Sequence, residues 1–297
     1  MGYRQVIIKK SEKLHFKDNQ LIIEKEDNKT KVPLEDINYI LIEDSSIIIT
    51  TRLLAELGKN AISLIVCDEK FDPTAIMYPY NYHFKQLDVF THQLEIDDDI
   101  KNEFWNQIVK RKIENSIRVL EMTSKEEFPI SKLNEYISEV VDGDVKNREG
   151  LAAKMYFRSI FGSDFIRFFD DNINAALNYG YTILASAIIR NLAVFGLNTY
   201  LGIHHNSKIN NFNLAYDFLE PYRSVVDKFV YDNKDDIVLP LSFEFRKKLI
   251  SLLNKEVLHQ NKKYTIEYSV SLLIKSYIKS FSTGEIKLDL PTIIYEQ

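Results

Sequence analysis

The sequence predicts an α+β fold, in which an N-terminal mostly-β domain is followed by a larger all-helical C-terminal domain. Short runs rich in Val, Ile and Tyr, bounded by turn residues, fill the N-terminal third, whereas apolar residues recur at helical spacing afterwards. At 297 residues, 45% of them hydrophobic, the chain can bury two cores. We therefore expect a β domain over residues 1–85, a linker over 86–100 and a helical domain over 101–297.

The N-terminal domain is predicted from short β segments. These are Arg4–Ile8, Leu14–Phe16, Leu21–Glu24, Tyr39–Ile42 and Ile47–Thr50. Turn residues between them, such as Lys17-Asp18-Asn19, predict hairpins and a meander. A helix is predicted over Thr51–Leu57, stopped by Gly58, followed by a buried strand through Ile65 and another at Thr74–Met77.

Helical periodicity dominates the rest of the chain. Its clearest example is the spacing of the apolar residues Phe104, Ile108, Ile113, Ile117 and Leu120. The acidic run 97–99 precedes them and suits a helix N-terminus. The most apolar segment, 181–189, is far shorter than the roughly 20 residues that a membrane span requires. We expect it to be buried in a soluble protein that has no membrane partner.

Composition limits the compartment and the kinds of site. The single cysteine, Cys67, lies in an apolar run, so an internal disulfide and a cysteine metal cage are both excluded. The first residues lack the apolar stretch of a signal peptide, which together with the cysteine count favours the bacterial cytoplasm. The net charge of -5 taken alone counts against a nucleic-acid binder. DNA contacts only a local patch, however, and a metal site itself concentrates carboxylates.

Several common catalytic motifs are absent from the sequence. It contains no Gly-x-Gly, no Gly-Lys-Ser or Gly-Lys-Thr, and no Gly-x-Ser-x-Gly. Dinucleotide-binding and P-loop enzymes are therefore disfavoured. A covalent nucleophile is not indicated either, because burial of Cys67 among apolar residues would keep its thiol inert.

One segment, 202–223, combines an imidazole with carboxylates. Asp217 and Glu220 are three residues apart, so on a helix both would project from one face as converging ligands, with the helix ending or kinking at Pro221. Together with His205 they form a mixed nitrogen and oxygen set that suits Mn²⁺ or Mg²⁺. Such a metal would activate a water or a 3′-hydroxyl without a protein nucleophile.

The pattern alone also allows a plainer interpretation. Asp-x-x-Glu on a helix is commonly a solvated face, and paired histidines are common in loops. By its spacing, Glu149 would be a first-turn helix residue favoured by the helix dipole, with Asn147 as the N-cap.

Several fragments taken together resemble the CRISPR-associated protein Cas1 family, the spacer-acquisition integrases. The matching fragments, in order, are Asn147-Arg148-Glu149-Gly150, Tyr156-Phe157, Asn178-Tyr179-Gly180-Tyr181, Gly202-Ile203-His204-His205 and 212–227. Their order and spacing match over residues 147–227, and the N-terminal β pattern is similar too. The version of the motif that begins at Glu220 looks most like the type II branch.

This resemblance implies a set of site residues and a cofactor. The family's catalytic metal ligands fall on Glu149, His205 and Glu220, which would hold Mg²⁺ or Mn²⁺. His204 is then a neighbour of the ligand, and Asp217 is a supporting acidic residue that shapes the site electrostatically or binds through water.

The resemblance also implies an activity and partners. It implies a metal-dependent DNA endonuclease and integrase that inserts short foreign DNA, as spacers, into a CRISPR array by transesterification, in adaptive immunity against phage and plasmids. The implied partners are double-stranded DNA (protospacer and repeat), a second copy of the chain bound through the β domain, Cas2, and the effector nuclease and ring-forming accessory protein of a type II system.

A cluster of basic residues surrounds the implied ligands in the sequence and is proposed to line the DNA phosphate path. Its members are Arg148, Lys154, Arg158, Arg167, Arg223 and Lys228. Tyr156 and Tyr222 would either stack on bases or pack in the core. Two other functions remain open: a non-catalytic helical DNA-binding scaffold, and a metal hydrolase that acts on a small substrate.

Overall fold

The computed structural model describes residues 4–26, 28–71, 73–80, 86–123 and 127–294. The chain forms two compact units, one made of residues up to 86 with 193–197, and the other of residues 87–192 with 198–297. The predicted fold class is confirmed, because a strand-rich N-terminal region is followed by a helical domain.

Two four-stranded sheets are seen in the described part of the first unit. Its elements in chain order are β1 (Arg4–Ile8), β2 (Lys13–Lys17), β3 (Gln20–Lys25), β4 (Asn28–Pro33), β5 (Ile37–Ile42), β6 (Ile48–Ile49), α1 (Thr51–Lys59), β7 (Ser63–Cys67) and β8 (Pro73–Met77). One sheet has the order β1-β5-β7-β8 and the other β4-β3-β2-β6. The predicted meander is present as β2-β3-β4, whose neighbours pair antiparallel.

The other sheet differs from the expected hairpins. Strands β1, β5 and β7 pair in parallel, and only β8 pairs antiparallel. The reason is visible in β5, all of whose residues are buried, because a central strand of a parallel sheet is covered on both faces and lacks polar alternation. Helix α1 passes through Gly58 and ends two residues later than predicted, at Lys59 instead of Leu57.

The second unit is mostly helical. Its helices are α2 (Gln86–Glu95), α3 (Asp98–Thr123), α4 (Glu127–Glu139), α5 (Arg148–Phe161), α6 (Asn172–Val194), α7 (Asn213–Leu219), α8 (Arg223–Asp232), α9 (Phe243–Ser251) and α10 (Ile266–Thr283). A purely helical domain was expected, but this unit also contains a small antiparallel sheet. Its strands are β9 (Glu256–His259), β10 (Lys262–Thr265) and β11 (Thr292–Ile293). The segment 86–100, expected as a linker, holds α2 and the start of α3 rather than an extended connection.

Helix α3 is the longest of the described helices, with 26 residues. Asp97 precedes it and accepts the amide hydrogen of Ile100 at 2.8 Å, which satisfies one of the free N–H groups of the first turn. The start at the acidic run is therefore as predicted, and the apolar residues that marked the periodicity are all buried. Over the described residues, no helix combines enough length and apolarity to cross a membrane.

Candidate active site

The three implied metal ligands line one cavity of the second unit. Glu149, His205 and Glu220 border a space of about 520 Å³, although they come from α5, the α6–α7 loop and the end of α7. Among the five cationic side chains of this lining, Lys112 and Arg223 pair with the glutamates. The cavity is large enough to take a phosphodiester and its neighbouring groups.

Glu149 is positioned by the capping of α5. The carboxylate of Asp144 accepts the amide hydrogens of Arg148 at 2.9 Å and Glu149 at 2.8 Å, and the side chain of Asn147 accepts that of Gly150 at 3.2 Å. These bonds satisfy three of the four N–H groups that a helix start leaves without a partner. The predicted cap at Asn147 is present. Asp144 is a further cap, which was not predicted from the sequence.

His205 is held by Asp217. The fully buried carboxylate of Asp217 accepts the amide hydrogens of Ile203, His204 and His205 at 2.6, 3.2 and 3.1 Å, and Nδ1–H of His205 at 2.7 Å. The Nε2 atom of His205 is thereby the ring nitrogen left for a ligand. Burial opposes the charged imidazole, but the bond to Asp217 raises the pKa of His205 above its usual value.

Two more residues shape the loop of residues 202–205, the histidine loop. A Cβ on Gly202 would lie 2.1 Å from the carbonyl oxygen of His205 and 2.9 Å from Asp217 Oδ2, so the loop can pass so closely only over glycine. The buried Trp105 of α3 stacks on His204 with ring centroids 4.2 Å apart and meets His205 edge-on at 5.8 Å. His204 is exposed, and its ring lies against the indole.

Glu220 and Asp217 do not converge as the helical spacing predicted. Helix α7 ends at Leu219, and Glu220 begins a short 3₁₀ turn that contains Pro221. Both carboxylate oxygens of Asp217 accept hydrogen bonds from the histidine loop. Glu220 Oε1 instead accepts Nε–H of Arg223 at 2.9 Å. Asp217 therefore acts on the cavity through His205, in line with the electrostatic role expected for it.

Lys112 joins the two glutamates. Its ammonium contacts Oε1 of Glu149 and lies 2.5 Å from Oε2 of Glu220. Burial favours the neutral lysine, but Glu220 and Glu149 outweigh it and raise the pKa of Lys112. Burial likewise opposes ionisation of Glu220, yet Arg223 and Lys112 lower its pKa to about 2. The two glutamates thus belong to one partly buried charge network.

Lys112 was not predicted from the sequence as a residue of the site. It stands in α3, 37 residues before Glu149, and its charge interrupts an otherwise apolar periodicity. The available signal was its position seven residues after Trp105, which places both on one face of the helix.

The donor chemistry of the cavity fits a divalent cation. Two glutamates and the Nε2 of an imidazole whose Nδ1 is fixed by a carboxylate are ligands that Mn²⁺ and Mg²⁺ accept. Within the described ranges, no three His, Cys, Asp or Glu side chains form a group that could hold a metal ion in the present conformation. A positive group, the ammonium of Lys112, already lies between the carboxylates. The carboxylate pair is therefore a place built for positive charge.

The basic candidates divide between two locations. The members that line the same cavity as the glutamates are Lys154, Arg158, Arg167 and Arg223. Arg148 instead pairs with Glu139 at 2.7 Å. Lys228 pairs with Asp232 at 2.5 Å and borders a different cavity. Only the first group is placed where a phosphate in the cavity would meet it.

The two tyrosine candidates belong to the core. Tyr156 and Tyr222 are 2% and 1% exposed, and the hydroxyl of Tyr222 lies 2.8 Å from Ser269 Oγ. Stacking on bases is therefore excluded for both in this conformation. Exposed apolar side chains do occur at the rim of the cavity, where Phe168 is 93% exposed next to Arg167.

Behind the cavity lies a buried acid that sequence reasoning did not assign. Asp227 accepts the hydroxyl hydrogen of Tyr181, and the guanidinium of Arg223 lies 4.5 Å from the centre of the Tyr181 ring. Burial raises the pKa of Asp227 to about 6 against the lowering effects of Tyr181 and Arg223. Arg223 thus connects Glu220 to this second acid.

Known proteins are similar to this chain over most of its length. Residues 6–265 match the family described as CRISPR associated protein Cas1. A CRISPR-associated endonuclease Cas1 of Neisseria meningitidis serogroup C (strain 8013) is 33% identical over 297 residues, which cover 99% of this chain and 97% of the relative. Another, from Francisella tularensis subsp. novicida (strain U112), is 24% identical and covers 86% and 89%.

Solved structures have the same fold. A casposase bound to an integration product superposes with a TM-score of 0.81 at 20% identity, covering 99% of this chain and 95% of that one. A Cas1 protein from Thermotoga maritima has a TM-score of 0.75 at 16% identity, covering 95% and 97%. In a Cas6-RT-Cas1–Cas2 complex the TM-score is 0.78 at 19% identity, covering 98% of this chain and 36% of that one. The family match and the full-length relative show that this chain belongs to the CRISPR-associated Cas1 family.

Proposed function

We propose that this protein is a divalent-metal-dependent DNA endonuclease and integrase that inserts short DNA into a CRISPR array by transesterification. The observation that carries the proposal is the meeting of Glu149, His205 and Glu220 at one cavity. Family membership and the names of the curated relatives, which are endonucleases, support the same activity.

The cation we propose is Mg²⁺ or Mn²⁺, held by Glu149, Glu220 and Nε2 of His205. When bound, it would polarise a phosphoryl oxygen and favour the oxyanion form of the attacking group. Asp217 keeps the imidazole of His205 in the tautomer that leaves Nε2 available. Arg223 holds Glu220 from the other side and fixes its rotamer.

The reaction exchanges one phosphoester bond for another. The 3′-hydroxyl of the incoming strand attacks a phosphorus atom of the repeat, a new bond to that oxygen forms, and the 3′-oxygen of the repeat strand leaves. With water as the attacking group, the same cavity gives cleavage. Lys154, Arg158 and Arg167 border the cavity and are proposed to bind the flanking phosphates.

The proposed partners follow from the same reasoning. Solved structures with this fold include one bound to an integration product and one in a complex with Cas2. For this chain we propose double-stranded DNA, Cas2 and a second copy of the chain as partners. The effector nuclease and ring-forming accessory protein of a type II system are proposed as further ones.

Strand joining by single-residue variants tests the proposal. We expect Glu149→Ala and His205→Ala to abolish Mn²⁺-dependent joining of a labelled DNA to a repeat duplex on a denaturing gel. Both variants should still shift the DNA in a native gel, because the phosphate-binding cations remain. Glu135→Ala serves as the control, since Glu135 is an exposed glutamate that pairs with Lys132 on the surface of α4.

Three outcomes separate the proposal from its rivals. Full joining by both cavity variants would refute the assignment of the site. Metal-independent binding of branched DNA with no joining or cleavage at any Mn²⁺ concentration would indicate a DNA-binding scaffold. A protein that ignores DNA but hydrolyses small phosphoesters would be a different hydrolase.

A further inference from the structure

Lys112 contacts one carboxylate oxygen of each of the two glutamates in the cavity. Its side chain is 14% exposed, and it meets Oε1 of Glu149 and Oε2 of Glu220 at the same time. The other oxygen of Glu220 is occupied by Arg223, so the oxygen directed at Lys112 is the one left for a metal.

Two carboxylates that share a partly buried cavity need a counter-charge, since the Glu220 side chain is 5% exposed and that of Glu149 is 27% exposed. Without one, their repulsion and loss of hydration would drive the side chains apart or make one of them take up a proton. The ammonium of Lys112 supplies that charge from a helix that is fixed by its own core packing. It therefore holds the pair together in the conformation described here.

An ammonium and a divalent ion cannot share these oxygens. The nitrogen lies 2.5 Å from Glu220 Oε2, and Mg²⁺ or Mn²⁺ would require oxygen ligands at about 2.1 Å in nearly the same position. Metal binding thus requires the ammonium to leave. The four-carbon stem of lysine lets it swing into the cavity that it already lines, where a DNA phosphate would be its next partner.

We propose that Lys112 is an internal cation that occupies the metal position between Glu149 and Glu220 and is displaced when the metal binds. The inference rests on the proposed metal site. It adds that the apparent metal affinity of this protein is set by competition with its own lysine. It also implies that the glutamates are already oriented before the metal arrives.

Calorimetric titration with Mn²⁺ tests the competition without any activity measurement. Lys112→Met keeps the length of the stem and removes the competing charge, so we expect the apparent Kd for Mn²⁺ to fall about tenfold, which corresponds to about 1.4 kcal/mol of binding free energy. In EDTA, Lys112→Met should melt at a lower temperature than the wild type, because the two carboxylates lack a counter-charge. Mn²⁺ should restore its melting temperature. Lys112→Arg keeps the charge and should bind Mn²⁺ no more tightly than the wild type.

Amine labelling of the unaltered protein gives a second readout, which does not depend on whether the variants fold. Acetic anhydride followed by mass spectrometry should modify Lys112 more in Mn²⁺ than in EDTA. Lys228 is the control, because it is 21% exposed, pairs with Asp232 and lies at another cavity. Its modification should not depend on Mn²⁺.

The outcomes distinguish this inference from the proposed function. If the wild type binds Mn²⁺ and Lys112→Met binds it equally or more weakly, competition is refuted while the metal site stands. Unchanged labelling of Lys112 in a wild type that binds Mn²⁺ would refute displacement. If neither protein binds Mn²⁺, the metal site fails and the inference falls with it.

Discussion

Asp227 shows how a single buried acid near the cavity affects stability. It is 2% exposed, and Arg223, a cation that lowers its pKa, is shared with Glu220. Burial therefore dominates and raises its pKa from 3.8 to about 6. Glu220 is the opposite case, since its two cationic neighbours lower its pKa from 4.5 to about 2.

Replacing Asp227 tests the sign of this effect. The folded protein binds the Asp227 proton more tightly than the unfolded chain does. The contribution of this proton to the free energy of unfolding is therefore complete below pH 3.8 and is lost as the pH rises through about 6. We expect the free energy of unfolding of Asp227→Asn, measured by urea denaturation, to fall less over this window than that of the wild type. Glu220 contributes stability above pH 4.5 that is lost as the pH falls, and it does so in both proteins.

Asp235→Asn is the matched control, because Asp235 is exposed. Its pH profile should follow the wild type. Parallel profiles for wild type and Asp227→Asn would mean that Asp227 is ionised as easily in the folded protein as in the unfolded chain.

At the scale of single residues, those that lie in a motif were predictable from the sequence, and those without a motif were not. Glu149, His205 and Glu220 lie in fragments with a known pattern, and the structure places them at one cavity. Lys112 has no motif, because its role depends on partners 37 and 108 residues away, which the fold alone brings together. Asp144 was missed for a similar reason, since its side chain caps the helix from outside the capping pattern.

At the scale of elements, the histidine loop between α6 and α7 is held by side chains rather than by regular secondary structure. Asp217 binds three successive backbone amides, and Gly202 allows the close approach of the His205 carbonyl. The loop can thus be distorted without disturbing either flanking helix.

A methyl group at Gly202 should therefore affect activity more than stability. In Gly202→Ala the Cβ would overlap the carbonyl oxygen of His205, so the imidazole must shift. We expect strand joining to fall about 100-fold, as displacements of about 1 Å at a reacting centre often cause. The rate of joining under excess Mn²⁺ would measure this.

Gly58→Ala is the control, because a Cβ at Gly58 meets no atom within 4 Å inside α1. It should leave joining intact and stabilise the helix by about 0.5–1 kcal/mol. Wild-type joining by Gly202→Ala would show that the loop accommodates the methyl group.

Elements with strong periodicity were predictable, whereas their pairing was predictable in the β2-β3-β4 meander but not in the other sheets. The strands and the start of α3 follow from alternation, turn residues and an acidic cap. The parallel pairing of β1, β5 and β7 depends on long-range contacts that a linear pattern does not encode. The sheet β10-β9-β11 was missed because β11 has two residues and pairs with a strand 35 positions earlier.

At the scale of the whole molecule, α3 connects the separate parts of the second unit. From it, Trp105 supports the histidine loop, Lys112 joins the glutamates, and Asn115 reaches the C-terminal segment. The fully buried amide of Asn115 donates to the carbonyls of Pro221 and Pro291 at 2.8 and 3.1 Å and accepts Ile293 N–H at 3.1 Å. The turn that carries Glu220 is thus tied to β11 through one side chain.

Removal of this amide should lower global stability. Asn115→Ala removes the bonds that this side chain makes to two buried carbonyls and one N–H, and we expect a loss of about 2–3 kcal/mol in the free energy of unfolding. Urea denaturation would measure it. Asn134→Ala, which removes an exposed amide from α4, should change stability by less than about 0.5 kcal/mol. Equal values for the two variants would mean that the connection contributes little.

The overall charge of the molecule was a poor guide to its function. The net charge is -5, yet the cavity is lined by five cationic side chains and only two carboxylates. Acidic residues elsewhere on the surface outweigh this local excess in the sum. A DNA bound as proposed would respond to the potential at the cavity mouth, so the distribution of charge would decide binding more than its total.

The stacking of Trp105 on His204 has a spectroscopic consequence. The chain contains one tryptophan, so all indole emission comes from this position beside both imidazoles. Rearrangement of either ring would alter the quenching of that emission. The protein thus has an intrinsic optical reporter through which events at the cavity can be followed in real time, without an attached dye.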